Sequence, residues 1–170
     1  MDTDHSLQAV IDQVKTQRDG IDMLLGTGDL SDHGAAAAYS RVQSYFAQLS
    51  AANFWLPGNH DDRATMSSLA GASIRLSPEI RVGQWQVLML DSQIPGAVGG
   101  QLGEQQLLQL GRSLAAAKRL GLHTLVCLHH QPVAIGCAWL DGQMVADAEQ
   151  FFDILDAHDS VKGVLWGHVH

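Results

Sequence analysis

The chain has 170 residues and a formal net charge of −8 when its histidines are counted as neutral. This length suits one domain with its own hydrophobic core, and a hydrophobic content of 46% excludes a wholly disordered chain. Ten Lys and Arg against eighteen Asp and Glu exclude a general nucleic-acid-binding protein, which needs a basic surface. Histidine is unusually frequent at nine residues. Because histidine is the commonest metal ligand and acid–base side chain, these residues are the first candidates for function.

Helical and strand-like segments alternate along the chain. Apolar residues at helical spacing and short apolar runs bounded by Gly, Pro or Asp distinguish the two types. The predicted helices are residues 6–17, 35–49, 62–69, 104–118 and 147–157, and the predicted strands are residues 21–25, 53–56, 79–82, 85–90, 124–128 and 161–166. Such alternation predicts an α/β fold with a mostly parallel sheet covered by helices on both faces. No repeat or linker divides the chain, so we expect a single domain over residues 1–170.

The cysteines and the apolar runs bear on location. Cys127 and Cys137 are too far apart for a Cys-x-x-Cys pair and too few for a zinc ribbon. The N-terminal residues are polar and acidic rather than basic and then apolar, and no apolar run reaches the roughly 18–20 residues of a membrane span. We therefore expect free thiols, a cytoplasmic location and no membrane partner.

Polar and titratable residues follow five of the predicted strands directly. Parallel strands have their carboxyl ends at one edge of a sheet, where ligands bind. Five of the nine histidines lie in these loops, at positions 60, 129, 130, 168 and 170. The five segments are Gly28-Asp29-Leu30-Ser31-Asp32, Gly58-Asn59-His60-Asp61, Asp91-Ser92-Gln93, His129-His130-Gln131-Pro132 and Gly167-His168-Val169-His170.

The residue types in these loops are those of a dinuclear metal site. A carboxylate such as Asp29 can bridge two cations, while an Asn carbonyl and imidazoles add neutral oxygen and nitrogen donors. His168 and His170 are two residues apart and point to opposite sides if the backbone is extended, so each could serve a different metal.

Four of the segments resemble motif blocks of the calcineurin-like metallophosphoesterases. They are Gly28-Asp29-x-x-Asp32, Gly58-Asn59-His60-Asp61, His129-His130-x-Pro132 and Gly167-His168-x-His170, in the family's order and rough spacing. Three further stretches resemble the bacterial class III 3′,5′-cyclic-AMP phosphodiesterases within that superfamily: Trp55-Leu56-Pro57 before the second block, Leu90-Asp91-Ser92-Gln93 with Gly100-x-Leu102, and Gly136-Cys137-Ala138-Trp139-Leu140-Asp141.

The resemblance implies a layered α/β metallophosphoesterase fold and the hydrolysis of cyclic AMP to 5′-AMP. Two divalent or trivalent metal ions, with Mn or Fe as the expected elements, would hold a bridging hydroxide that attacks phosphorus in line. The implied metal ligands are Asp29, Asn59, His129, His168 and His170. Asn59 and His60 would contact the substrate, and His60 would be the catalytic acid that protonates the leaving ribose oxygen.

The sequence departs from the family pattern at both ends. The first block, Asp-x-His at the end of an initial strand, is absent, and the chain stops where the family continues into further strands of a second sheet. We therefore expect an incomplete fold that lacks the first strand and the C-terminal strands. One metal site would draw on Asp29, Asn59, His129 and His168, and the other on Asp29 and His170 alone. The second ion should bind weakly, and turnover by this chain should be impaired.

Other interpretations stay open for several positions. Asp29 could be a helix cap. A dinucleotide-binding fingerprint at Gly26-x-Gly28 is excluded, because its third glycine position is Ser31. Asp32 could cap the following helix or tune the site. His130 and Asp91 are expected to be structural.

The four tryptophans divide into two groups. Those at positions 55, 85 and 166 are expected in the core by their pattern, whereas Trp139 lies in a loop and could line a nucleotide pocket or simply pack.

Two alternative functions also remain. The chain could be a metallophosphoesterase for another phosphoester or nucleotide, or a non-catalytic metal-binding remnant. The expected partner is a cyclic-nucleotide substrate rather than nucleic acid or membrane, and the oligomeric state stays open.

Overall fold

The computed structural model describes residues 3–17, 20–69 and 71–169, and they form alternating helices and strands. The helices are α1 (Thr3–Gln17), α2 (Ala36–Phe46), α3 (Arg63–Ser68), α4 (Ala72–Arg75), α5 (Gly103–Leu120), α6 (Ala138–Asp141) and α7 (Ala148–Asp156). The strands are β1 (Leu24–Gly26), β2 (Asn53–Trp55), β3 (Glu79–Val82), β4 (Trp85–Met89), β5 (His123–Leu128) and β6 (Val161–Trp166). The predicted α/β class with mostly parallel pairing is confirmed.

The strands form two hydrogen-bonded sheets. β1 pairs in parallel with β2, and a second sheet has the order β3-β4-β5-β6. In this second sheet β3 and β4 form an antiparallel hairpin, while β4, β5 and β6 pair in parallel. The sequence predicted six strand positions but could not show this division, because hydrophobic pattern reports burial and not partners.

The predicted strand over residues 21–25 is shifted in the structure. Only Leu24–Gly26 pairs with β2, in register with Asn53–Trp55. The apolar residue Met23 still packs against the core without taking part in the ladder. The hydrophobic side chain of Met23 serves core packing and not strand pairing, so the apolar run predicted a strand that begins too early in the chain.

The β3–β6 sheet buries both faces, in agreement with the near-continuous apolar runs of β4 and β5. Alternate side chains go to opposite faces. Leu88, Val126 and Leu128 pack with α5 and α7, whereas Val87, Met89 and Cys127 pack with side chains of β1 and β2. A third cluster, of Tyr39, Trp55 and Met66, joins α2 and α3 to β2. The resulting layers leave the carboxyl ends of the parallel strands exposed along one edge.

The reactivity of the two cysteine thiols towards a chemical reagent provides a test of this packing. Burial raises the pKa of the Cys127 thiol to about 12, so about one molecule in 10,000 carries the reactive thiolate at pH 8. We expect a chromogenic thiol reagent to modify one cysteine in the native chain, the partly exposed Cys137, and both after unfolding in guanidinium. Rapid modification of two thiols in the native chain would contradict the packing of β5.

Candidate metal centre

Four side chains from four different loops meet beyond the carboxyl ends of the parallel strands. Asp29 follows β1, Asn59 follows β2, His129 directly follows β5, and His168 follows β6. The Nε2 atom of His129 is the centre of the group. It lies 3.2 Å from Asn59 Oδ1, 3.2 Å from His168 Nδ1 and 3.4 Å from Asp29 Oδ2.

The contacts of the two imidazoles assign their protons. His129 Nδ1 is 2.8 Å from the carbonyl oxygen of Thr27, which can only accept, so Nδ1 carries the proton and Nε2 has a free lone pair. His168 Nε2 is 2.8 Å from Oε1 of Gln143, and donation to this oxygen leaves Nδ1 as a lone pair. Two imidazole nitrogens, an amide oxygen and a carboxylate oxygen therefore converge with no proton to share.

The donor distances from His129 Nε2 match those between ligands that share one metal ion. An ion bound about 2.1 Å from each donor needs donors roughly 3.0 to 3.4 Å apart, for octahedral or tetrahedral angles. The three distances measured from His129 Nε2 lie in this range. Mixed imidazole, amide and carboxylate ligands suit a first-row transition metal better than Ca²⁺ or Mg²⁺, which prefer oxygen.

His130 joins the imidazole cluster in space, but its ring nitrogens have partners of their own. It lies within reach of His129 and His168 for a shared ion by distance alone. However, its Nε2 is 3.1 Å from the carbonyl oxygen of Val98 and must donate there, while its Nδ1 lies 2.8 Å from the hydroxyl of Ser92. Both ring nitrogens are thus engaged, and His130 connects β5 to the loop after β4.

The buried His130 should make the stability of the metal-free chain depend on pH. Burial lowers the pKa of His130 to about 4. The unfolded chain therefore binds more protons between pH 4 and 6.5, and stability falls as pH decreases through that window. We expect His130→Gln, whose amide can still donate to Val98, to flatten this pH slope in urea titrations, and an unchanged slope would contradict the assignment.

The backbone is left-handed at two of the four donor residues. Asp29 has a φ of 54° and His168 a φ of 64°, and no other non-glycine residue in the described ranges has a positive φ. Such conformations cost of order 1–3 kcal/mol and concentrate at functional sites. The sequence analysis considered an extended backbone at His168, and that geometry does not hold there.

Neighbouring glycines allow the donors to approach so closely. A Cβ atom at Gly28 would collide with the ring of His129, and one at Gly58 would collide with the carboxylate of Asp29. We infer that both positions exclude larger residues for steric reasons.

The two oxygens of Asp29 have different partners. Oδ1 accepts the backbone N–H of His60 at 3.1 Å, while Oδ2 faces His129. Burial raises the pKa of the Asp29 carboxyl, but the imidazoles nearby and the backbone N–H of His60 outweigh burial and hold the pKa below its ordinary value. Asp29 therefore stays ionised, and one oxygen is held towards the donor cluster.

Asp61 joins the loops that carry Asp29 and Asn59. Its buried carboxylate accepts the backbone N–H groups of Gly58 at 2.9 Å, Leu30 at 3.2 Å and Ser31 at 3.0 Å. Burial raises the pKa of Asp61, although the three donors act in the opposite direction. The Asp61 carboxylate thus connects the loop that carries Asp29 to the loop that carries Asn59, and it fixes their relative positions.

Gln93 holds the same loop from the opposite side. Its Nε2 donates to the carbonyl oxygens of Gly58 at 2.7 Å and Asp61 at 2.6 Å. Asp91 accepts the backbone N–H of Gln93 at 3.0 Å and forms an ion pair with Arg63 at 2.5 Å. Asp91 therefore acts through nearby backbone, in the structural role that the sequence analysis expected.

His60 lies at the edge of the centre with half of its side chain exposed. Its Nδ1 is 3.1 Å from the carbonyl oxygen of Asp32 and 3.4 Å from the Asp32 carboxylate. Capping of α2 by Asp32 is wrong, because no side chain caps Ala35 and the hydroxyl of Ser31 accepts the Ala35 N–H instead. The Asp32 carboxylate instead contacts two imidazoles, that of His33 at 3.1 Å and that of His60 at 3.4 Å.

The structure thus brings together four of the five predicted metal ligands, namely Asp29, Asn59, His129 and His168. The fifth, His170, lies outside the described residues. Gln93 and Gln143 were not singled out by the sequence analysis, although both contact site residues. Gln93 lies in the Asp91-Ser92-Gln93 segment after β4, and that position was the available signal. Gln143 follows a short helix far from any strand end, so no local signal marked it.

The tryptophans only partly follow the expectation. Trp55 is buried, but Trp85 is 41% exposed and packs against His123 at the start of the sheet, so its assignment to the core is wrong. Trp85 is the first residue of β4, so its side chain lies at the end of the sheet and is covered by neighbouring residues on one side only. Trp139 is 73% exposed on α6 and does not pack into the core.

Among the described residues, none of the helices is long and apolar enough to cross a membrane.

The fold has a counterpart among solved structures. The crystal structure of a dimetal phosphatase from Danio rerio superposes with a TM-score of 0.75 at 18% identity, covering 98% of this chain and 72% of the other. This similarity confirms the fold class, a layered α/β fold. The calcineurin-like phosphoesterase family model matches residues 2–170, and the chain belongs to that family.

Curated relatives support the same family at higher identity. A 3′,5′-cyclic adenosine monophosphate phosphodiesterase CpdA from Vibrio vulnificus is 43% identical over 97% of this chain and 60% of its own length. The proteins of that name from Pseudomonas aeruginosa and Escherichia coli are 40% and 39% identical over the whole of this chain and 62% of their own lengths. The chain spans about three fifths of the length of these relatives.

Proposed function

We propose that this chain carries the metal-binding and proton-donating residues of a phosphodiesterase that hydrolyses 3′,5′-cyclic AMP to 5′-AMP. The observation that carries the proposal is the convergence of four proton-free donor atoms around His129 Nε2. The CpdA relatives supply the substrate, because they are named as cyclic-AMP phosphodiesterases and resemble this chain over nearly all of its length.

Asp29, Asn59, His129 and His168 would hold one metal ion, with Mn or Fe as the proposed element. When bound, metal ions supply Lewis-acid stabilisation of the phosphate oxygens and activation of water. The protein's own contribution is to present two neutral imidazoles and one carboxylate in fixed orientations. The carbonyl of Thr27 and the backbone N–H of His60 maintain those orientations for His129 and Asp29.

A second ion would draw on Asp29 and His170 in this chain. Two protein ligands are fewer than the four available to the first ion. We therefore propose one tight and one weak site in the 170-residue chain, with slow turnover as the consequence.

His60 would donate a proton to the leaving ribose oxygen. Its side chain is half exposed at the edge of the centre, so a bound phosphate ester could reach it. The carbonyl and carboxylate of Asp32 both face Nδ1, so they orient the ring while Nε2 remains available for proton transfer. Asn59 and His60 would together contact the phosphate. Asn59 is two residues before Asp61, which holds this loop in place.

Two assays on one preparation test the proposal. Calorimetric titration with Mn²⁺ should show one tight site and a weaker one. Chromatography should then show conversion of cyclic AMP to 5′-AMP, and not to 3′-AMP, that depends on added Mn²⁺. His60→Gln should slow this conversion by roughly 100-fold or more, because general acid catalysis contributes about 10²–10⁴. His158→Gln, on a histidine whose Nδ1 contacts the backbone of α7, is the matched control and should leave the rate unchanged.

The same assay with other substrates separates the alternatives. Faster hydrolysis of a phosphomonoester than of cyclic AMP would assign the chain to another metallophosphoesterase activity. Tight Mn²⁺ binding without hydrolysis of any phosphoester, even with metal in excess, would identify a non-catalytic metal-binding protein.

We also propose a single domain in the cytoplasm. Shared core clusters between helices and both sheets support one domain. Two free cysteines, Cys127 and Cys137, support a reducing compartment.

A further inference from the structure

We propose that Gln143 is a positioning residue that determines which nitrogen of His168 binds metal. The Oε1 atom of Gln143 lies 2.8 Å from His168 Nε2. An accepting oxygen at this place keeps the proton on Nε2 and leaves the Nδ1 lone pair facing His129 Nε2, 3.2 Å away. The proposal rests on the metal centre described under the proposed function, and it adds a residue that does not itself touch the ion.

The orientation of His168 needs such support because its nitrogens can exchange roles. A proton on Nδ1 would be stabilised in the metal-free chain by donation to His129 Nε2, and that tautomer cannot bind an ion through Nδ1. The acceptor on Nε2 opposes this competing state. Outer contacts of this kind change metal affinity by roughly 10–100-fold in metalloproteins.

The backbone around Gln143 is well anchored, as a positioning role requires. Its N–H donates to the carbonyl of Leu140 at 2.9 Å. Two residues on, Val145 pairs with Gly100 and donates to the carbonyl of Gln131 at 3.1 Å. The side chain of Gln131 in turn donates to the carbonyl of Leu140 at 2.6 Å. The segment is thus tied to the loop after β5, which begins with the ligand His129.

Two substitutions at Gln143 separate hydrogen bonding from packing. Gln143→Glu replaces the amide by a group of the same size whose oxygens only accept, so it should hold the Nε2–H tautomer at least as firmly. Gln143→Leu keeps the approximate size but removes the acceptor. We expect the dissociation constant for Mn²⁺ to rise about 10–100-fold in the Leu variant and not to rise in the Glu variant. Gln150→Leu, on the exposed face of α7, should leave the dissociation constant unchanged.

A second measurement reads the tautomer directly in the metal-free chain. Long-range proton–nitrogen correlation spectra of histidine-labelled protein should show His168 protonated at Nε2 in the wild type and in the Glu variant. The Leu variant should shift towards the Nδ1–H form. Equal Mn²⁺ affinity and an equal tautomer in the Leu variant and the wild type would overturn the proposal, as would a wild-type His168 protonated at Nδ1.

The outcome for Gln143 is separable from that of the proposed activity. Absence of cyclic-AMP hydrolysis with the expected order of Mn²⁺ affinities would defeat the phosphodiesterase function and support the positioning role. Absence of Mn²⁺ binding in every variant would defeat the metal centre, and the tautomer spectra would then decide the role of Gln143 alone.

Discussion

A chain carrying Asp29→Asn is expected to bind Mn²⁺ at least about 100-fold more weakly than the wild type, since even contacts outside the ligand set are worth roughly 10–100-fold. The orientation of the new amide explains the size of the effect. The backbone N–H of His60 donates to Oδ1 of Asp29, so the amide oxygen takes that position. The amide NH₂ then occupies the place of Oδ2 and points a donor at the lone pair of His129 Nε2. One ligand is lost, and a second is occupied by a hydrogen bond.

The same reasoning predicts no loss of stability in the metal-free Asp29→Asn chain. The substitution removes a partly buried charge and supplies a proton to a group of four acceptors, so the melting temperature should stay within a few degrees or rise. Calorimetry with Mn²⁺ and thermal unfolding without metal measure the two effects separately. Asp22→Asn, on an exposed carboxylate before β1, is the control and should change neither. Wild-type affinity in the Asp29→Asn chain would show that Asp29 is not a ligand.

Asp61→Ala is expected to lower the free energy of unfolding by roughly 3–5 kcal/mol, the largest stability effect predicted for a single side chain here. The carboxylate accepts three backbone N–H groups, and each one left unpaired inside the protein costs about 1–3 kcal/mol. Because those donors belong to the loops of Asp29 and Asn59, metal affinity should fall as well. Urea unfolding followed by circular dichroism, and Mn²⁺ titration of the folded variant, measure both losses.

The neighbouring residue Asp62 is the matched control for Asp61. Its exposed side chain caps α3 by accepting the N–H of Thr65 at 2.6 Å. Asp62→Ala should lower the free energy of unfolding by clearly less than Asp61→Ala, because it removes only a helix cap, and should not change the affinity for Mn²⁺. Equal effects at the two positions would show that the cross-loop hydrogen bonds of Asp61 have no special weight.

Much of the fold could be predicted because local pattern and tertiary environment agree. The apolar runs of β4, β5 and β6 are buried or half-buried strands, and the long periodic segment of α5 is a helix that buries Leu110 and Leu114. The short helices α4 and α6 were not predicted, since four residues are too few to show a helical period. The predicted start of β1 is too early for a different reason. There, the residues that make hydrophobic contacts are not the same as those that pair with β2.

The candidate site was predictable to the level of ligand identity. Asp29, Asn59, His129 and His168 follow strand ends, and parallel strands collect such residues at one edge. The roles assigned to these residues, to His60 and to His170 stay predictions until metal binding and turnover are measured. The supporting residues were harder to find. Asp61 lay in a motif but had no assigned role. Gln93 contacts residues 32 and 35 positions away in the chain, and Gln143 contacts a residue 25 positions away. Local sequence patterns do not report contacts over such separations.

The sequence by itself determined the α/β class, the order of the elements and the excess of histidine at strand ends, because these depend on composition and on periods of two and 3.6 residues. Only the tertiary structure decided which atoms face one another. It placed His130 beside the donors yet turned both of its nitrogens to Ser92 and Val98, and it placed Gln143 behind His168. Hydrogen-bond partners depend on loops that meet in space, so the protonation of each imidazole follows from the fold and not from the motif.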